Sequence, residues 1–211
     1  MRGLYLVTDR GLCGQKSLED VVLQSVKGGA SCVQLREKDV STRLFVNEAQ
    51  RIKNLLEPYK IPLIINDRID VALACGAEGV HIGQEDMPYA IARKLMGRKA
   101  IIGLSVETWE DVEESQMLDV NYIGVSPVFT TPTKTDTRGA WGLEGLAKIK
   151  KISRHPVVAI GGLNESNVRE TILAGADCVA VVSAICAASD PEAATRKLNG
   201  IIEEALLLTA S

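Results

Sequence analysis

The sequence predicts an α/β fold, a (β/α)₈ barrel, and three observations carry that prediction. Short aliphatic and β-branched runs recur eight times along the 211 residues, separated by amphipathic stretches of helical period. The runs are apolar almost throughout, as parallel strands covered on both faces require. The nucleotide fingerprint G-x-G-x-x-G is missing after the first run, which weakens the case for an open doubly wound sheet. Right-handed crossovers then close the units into a barrel. The length is near the lower end of the about 200 to 250 residues this fold usually takes, so residues 1–211 read as one catalytic domain.

The strands are read at Leu4–Val7, Cys32–Leu35, Leu63–Asn66, Gly79–Ile82, Ile101–Leu104, Tyr122–Val125, Val157–Ile160 and Cys178–Val182. Between them Thr42–Leu56 places Leu44, Phe45, Ala49, Ile52 and Leu55 on one helical stripe. Thr108–Leu118 opens with Thr108 and Asp111 at capping-box spacing. Asn164–Ala174 and Pro191–Leu208 are also helical in pattern. Gly28-Gly29-Ala30, Gly76-Ala77 and Gly175-Ala176 each stand between a helix and a strand, where glycine suits the left-handed C-cap.

Composition narrows the function. A hydrophobic fraction of 46% with 24% charged residues excludes a disordered chain. A net charge of -3 argues against nucleic acid and anionic membrane as partners. The apolar run at Leu4–Val7 ends at Thr8-Asp9-Arg10, too soon for a signal peptide. No run approaches the ~18 residues of a membrane span, so a cytoplasmic protein is expected. The five cysteines are odd in number and form no C-x-x-C, which reads as reduced, structural thiols. A homo-oligomer is compatible with the sequence and not specified by it.

In such a barrel the chemistry sits at the C-terminal strand ends. The second strand ends in Gln34-Leu-Arg-Glu-Lys-Asp39. Alternation puts Gln34, Arg36 and Lys38 on one face, where two cations suit phosphate oxygens. The bland alternative is a solvated run with i,i+2 ion pairs. The third strand ends in Asn66-Asp67-Arg68 and the fourth in His81-Ile-Gly-Gln-Glu-Asp86. Asp67 and Asp86 would project side by side, and two carboxylates plus a diphosphate suit Mg²⁺, with Glu85 as an alternative ligand. Each aspartate has a competing reading as a helix cap. His81, flanked by Val80 and Ile82, reads as a satisfied interior histidine, and His155 before Pro156 as a surface residue.

Ser105 ends the fifth strand. The segment after the sixth strand, from Ser126 to Gly139, is long for a βα loop. Its hydroxyls and Lys134 suit an anion, and its length suits a lid. Gly161-Gly162 and Val182-Ser183 end the last two strands, where barrels commonly bind phosphate through backbone N–H groups. Two anion sites follow, with Lys134 over either or between them. No Ser/His/Asp or Cys/His pair is present, which favours displacement of a diphosphate over covalent hydrolysis.

The runs Tyr5-Leu-Val-Thr-Asp9, Gln34-Leu-Arg-Glu-Lys-Asp39, Asn66-Asp67, His81-Ile-Gly-Gln-Glu-Asp86, Gly124-Val-Ser-Pro-Val-Phe129, Thr131-Pro-Thr-Lys134 and Ala159-Ile-Gly-Gly162 together resemble the thiamine phosphate synthase family, in order along nearly the whole chain. The resemblance implies Mg²⁺-dependent coupling of a hydroxymethylpyrimidine diphosphate to a thiazole phosphate, or its carboxylated form, through a pyrimidine carbocation. It implies phosphorylated small molecules as partners and Arg36, Lys38, Ser105 and Lys134 as catalytic. Gln34, Leu35, Arg36, Glu37, Lys38, Asn66, Ser105 and Lys134 would contact the pyrimidine diphosphate. Thr131, Pro132, Thr133, Gly162, Val182 and Ser183 would contact the thiazole phosphate, and Asp67 and Asp86 would hold the metal. Glu85 within the Gly-Gln-x-Asp run and the Thr130-Thr131 doublet depart mildly from the family pattern. A related thiazole tautomerase fits less well, because Arg36, Lys38, Asp67, Asp86 and Lys134 are retained. A sugar-phosphate epimerase would leave the strand-two cations unused. A non-catalytic barrel that binds a thiamine precursor would leave the aspartate pair without a purpose.

Overall fold

The computed structural model describes residues 1–130 and 139–209. Parallel strands β1 (Gly3–Val7), β2 (Cys32–Leu35), β3 (Leu63–Asn66), β4 (Gly79–Ile82), β5 (Ile101–Val106), β6 (Tyr122–Val125), β7 (Val157–Ile160) and β8 (Cys178–Val181) close into a barrel in chain order. β8 returns to pair with β1, Tyr5 opposite Ala180. The expected (β/α)₈ barrel is therefore present. β5 runs two residues further than the sequence pattern predicts, to Val106, and β8 stops at Val181 because Val182 opens the next helix.

Helices α1 (Leu18–Gly28), α2 (Thr42–Leu56), α3 (Ile69–Cys75), α4 (Tyr89–Met96), α5 (Trp109–Ser115), α6 (Gly142–Ile152), α7 (Val168–Leu173), α8 (Ser183–Cys186) and α9 (Pro191–Leu208) lie between and after the strands. α2 and α9 have the predicted bounds. α5 starts on the predicted capping box, Thr108 with Asp111. It stops at Ser115, where the Ser115 and Gln116 side chains both donate to the Val112 carbonyl. α7 is shorter than predicted because Asn164 accepts from the Ser166 backbone and hydroxyl while Asn167 accepts from Asn164 N. Those local bonds compete with the helix, which begins only at Val168.

Strand alternation divides the apolar side chains into two layers. Leu4, Leu6, Val33, Leu35, Leu63, Ile65, Val80 and their counterparts pack outward against the helices. Tyr5, Val7, Cys32, Ile64, Tyr122, Val158, Cys178 and Ala180 fill the interior. The five cysteines are buried and free, as expected of structural thiols. Among the described residues no helix is long and apolar enough to cross a membrane.

The N-terminal end of the barrel is tied by one device used three times. The residue before each of β4, β6 and β8 (Glu78, Asn121 and Asp177) accepts a backbone N–H from the preceding strand and a cation from an earlier helix. Glu78 takes Leu63 N and Lys53, Asn121 takes Ile102 N and Arg93, and Asp177 takes Val157 N and Lys150. His155 corrects its sequence reading. It is 7% exposed rather than on the surface, and its Nε2 lies 2.9 Å from the Ser115 carbonyl oxygen.

Candidate active site

A cavity of about 680 Å³ opens at the C-terminal ends of the strands and is lined from all eight. Its floor is a polar chain. Gln34 Nε2 donates to Tyr5 OH at 2.9 Å, and Tyr5 OH lies 3.0 Å from Tyr122 OH. Tyr122 OH is 3.0 Å from His81 Nδ1, and His81 Nε2 is 2.9 Å from Ser105 Oγ. Burial pushes both phenols well above their usual range, so they stay protonated. Donation in the order Gln34, Tyr5, Tyr122, His81, Ser105 satisfies every link and leaves the Ser105 hydrogen for a ligand. Gln84 Nε2 donates to the Ser105 carbonyl at 2.7 Å.

One wall carries charge. Arg36 N donates to Thr8 Oγ1 at 3.0 Å, and the Arg36 guanidinium is 4.0 Å from the Asp9 carboxylate. Lys38 Nζ donates to Asp67 Oδ2 at 2.5 Å. These partners belong to other strands, so the run is not a set of i,i+2 pairs. Asp67 has φ of 60°, a left-handed conformation that costs a residue with a side chain about 1–2 kcal/mol. Asp86 Oδ2 accepts from Gly83 N at 2.7 Å. Neither aspartate caps a helix: Arg68 and Pro88 occupy the N-cap positions of α3 and α4. Burial raises the Asp86 carboxyl above its ordinary value and the Asp67 carboxylate raises it further, against the pull of Gly83 N–H and Lys38. Two oxygen donors that repel one another fit a hard divalent cation, which takes one or two carboxylates and completes its shell with phosphate and water. Among the described residues no group of three or more metal-binding side chains exists.

The opposite wall is made of backbone. Gly161 and Gly162 end β7 with φ of 102° and 67°. A Cβ on Gly161 would stand 2.6 Å from Pro127 Cβ, and one on Gly162 would stand 2.8 Å from Phe129 Cβ. Glycine is therefore required by both conformation and space. Val182 and Ser183 face them at the start of α8.

Of the residues singled out by sequence, Gln34, Arg36, Lys38, Asn66, Asp67, Asp86, Ser105, Gly162, Val182 and Ser183 line this one cavity, as does Glu85. Leu35 and Glu37 do not. Leu35 packs in the outer layer, and Glu37 binds Arg10 beside Glu48. Thr131, Pro132, Thr133 and Lys134 lie outside the described residues. Sequence reading missed Tyr5 and Tyr122. Their signal is a tyrosine inside a buried strand, whose hydroxyl must find a partner there.

The profile of a family described as thiamine monophosphate synthase matches residues 4–185. The chain belongs to that family. A thiamine-phosphate synthase of Albidiferax ferrireducens is 57% identical over 200 residues, covering 95% of this chain and 91% of that protein. One from Leptospira biflexa is 52% identical over 203 residues, covering 94% and 97%. The solved thiamine phosphate pyrophosphorylase of Pyrococcus furiosus superposes with a TM-score of 0.89 at 40% identity, covering 97% of this chain and 96% of that one. That solved protein shares this barrel along nearly its full length.

Proposed function

We propose that the chain is a thiamine-phosphate synthase, a transferase that couples 4-amino-2-methyl-5-(diphosphooxymethyl)pyrimidine with 4-methyl-5-(2-phosphooxyethyl)thiazole, or its carboxylated form, in thiamine biosynthesis. The carrying observation is the division of one cavity into a charged wall and a glycine wall. Two phosphorylated substrates need two anion sites of different strength in reach of each other.

On this reading Arg36, Lys38 and Asn66 bind the diphosphate. Asp67 and Asp86 hold Mg²⁺, which when bound supplies charge stabilisation to the departing diphosphate. Gln34 and Ser105 sit at the ends of the polar floor and fix the pyrimidine ring edge by hydrogen bonds. Gly162, Val182 and Ser183 bind the thiazole phosphate through backbone and hydroxyl donors. Lys134, Thr131, Pro132 and Thr133, which follow β6 in the sequence and lie outside the described residues, would act on the two substrates. The C–O bond to the diphosphate breaks with its electron pair leaving on oxygen, and the thiazole nitrogen lone pair forms the new C–N bond. No covalent enzyme intermediate is needed for this displacement.

Incubation with both substrates and Mg²⁺ should release diphosphate and form thiamine phosphate, detected by chromatography and mass. Absence of that product with both substrates present would overturn the proposal.

A further inference from the structure

The segment after β1 lies beside the charged wall without lining the cavity. Thr8, Asp9 and Arg10 follow β1 in succession, and each reaches the segment after β2. Thr8 is fully buried and its hydroxyl accepts Arg36 N, while Thr8 N donates to the Gln34 carbonyl at 2.9 Å. Asp9 faces the Arg36 guanidinium. Arg10 Nε donates to Glu37 Oε1 at 3.1 Å, and its other nitrogen binds Glu48 of α2.

Chain adjacency explains why Arg10 matters to groups it does not touch: its partner Glu37 stands between Arg36 and Lys38. Arg36 and Lys38 line the cavity past the end of β2, whereas Glu37 between them turns away to Arg10. There its side chain is 6% exposed, next to that of Glu48 at 5%. Burial and the Glu48 carboxylate both push the Glu37 carboxyl up, and Arg10 pulls it down. Arg51, 3.9 Å from Glu48, is engaged by Glu19 at 2.7 Å. Arg10 is thus the cation shared by two carboxylates that would otherwise repel across a nearly dry contact.

We infer that Arg10 is a positioning residue for the diphosphate side of the cavity: by pairing Glu37 with Glu48 it fixes the segment that presents Arg36 and Lys38. This rests on the reading of Arg36 and Lys38 as diphosphate ligands. Without Arg10, Glu37 swings away from Glu48 and carries its two neighbours out of register with the anion.

The test is calorimetric titration of inorganic diphosphate, in Mg²⁺ buffer, into the wild type, Arg10→Met and the double variant Arg10→Met/Glu37→Gln. Thiazole phosphate is the control ligand and thermal unfolding the control for folding. Arg10→Met should bind diphosphate about tenfold more weakly, since small displacements at such sites have effects of that size or more. Thiazole phosphate binding should be unchanged. Removing the Glu37 charge relieves the repulsion, so the double variant should return to within about threefold of wild type, as coupled neighbours do. If Arg10→Met fails to fold, Arg10→Lys takes its place, with an expected loss of about threefold because one fork contact is given up. Wild-type affinity in a folded Arg10 variant, or a double variant no better than the single, overturns the inference. A wild type that binds no diphosphate removes the reading of the charged wall and this inference with it.

Discussion

Lys38 Nζ lies 2.5 Å from Asp67 Oδ2, so a cation suited to a diphosphate and a carboxylate suited to a metal hold each other across the edge between β2 and β3. Binding a metal diphosphate would exchange this pair for two new ones, Lys38 to phosphate oxygen and Asp67 to the cation. Lys38→Gln should therefore weaken diphosphate binding by about 10- to 100-fold, the worth of one charge-assisted hydrogen bond. Titration calorimetry with inorganic diphosphate checks it.

Asp67 occupies left-handed backbone, which asparagine tolerates and β-branched residues do not. Asp67→Asn should unfold near the wild-type temperature yet lose about 100-fold or more in turnover. Asp67→Val should lose turnover and stability together. Thermal unfolding beside steady-state rates separates the charge from the backbone.

The raised Asp86 carboxyl has a sign that can be read in stability. A carboxyl lifted above its unfolded value makes the fold more stable below that value, and stability is lost as pH rises through the folded one. At neutral pH without divalent cation, Asp86→Asn should raise the unfolding midpoint, and the gain should vanish as pH falls through the raised Asp86 value. Excess Mg²⁺ should stabilise the wild type and not the variant. Scanning calorimetry at several pH values, with and without Mg²⁺, measures both.

The thiols make an alkaline prediction. Burial pushes Cys178 and Cys186 up to about 12. Unfolded thiols ionise near about 8.5, so stability falls as pH climbs from that value toward the folded one. At pH 8 the native protein should show no fast-reacting thiol, and all five should react after denaturation. A disulfide-exchange reagent followed by absorbance counts them.

Gly103 tests the polar floor. A Cβ there would stand 2.4 Å from Tyr122 OH, the centre of the chain between Tyr5 and His81. Gly103→Ala should cost several kcal/mol, in the manner of overpacked cores. Tyr122→Phe, which fits the space and removes only the hydroxyl, should cost about 1–3 kcal/mol for the partners left without it. Denaturant unfolding distinguishes the two.

The barrel was legible because its strands announce themselves locally. Tyr122–Val125 and Val157–Ile160 are short apolar runs with polar ends, and nothing tertiary alters them. That Asp67, Asp86, Arg36 and Lys38 line the cavity was legible because they follow the C-terminal ends of β2, β3 and β4 directly. Alternation turns Leu35 of β2 outward and Arg10 holds Glu37 away from the cavity, whereas the family resemblance carried both in as part of a contiguous motif. The Tyr5–Tyr122–His81 chain was not legible, because it joins strands 117 positions apart in sequence. The burial of His155 was not legible either, since its partner is the Ser115 carbonyl at the end of α5, 40 positions earlier.

On the proposed reading one cavity holds a diphosphate on its charged wall and a monophosphate on its glycine wall. A crystal structure with inorganic diphosphate, Mg²⁺ and thiazole phosphate tests it most directly. Diphosphate is expected on Arg36, Lys38 and Asn66, the cation between Asp67 and Asp86, and the thiazole phosphate at Gly162 and Ser183. A thiazole phosphate seated on Arg36 and Lys38, or a cation remote from both aspartates, would contradict it.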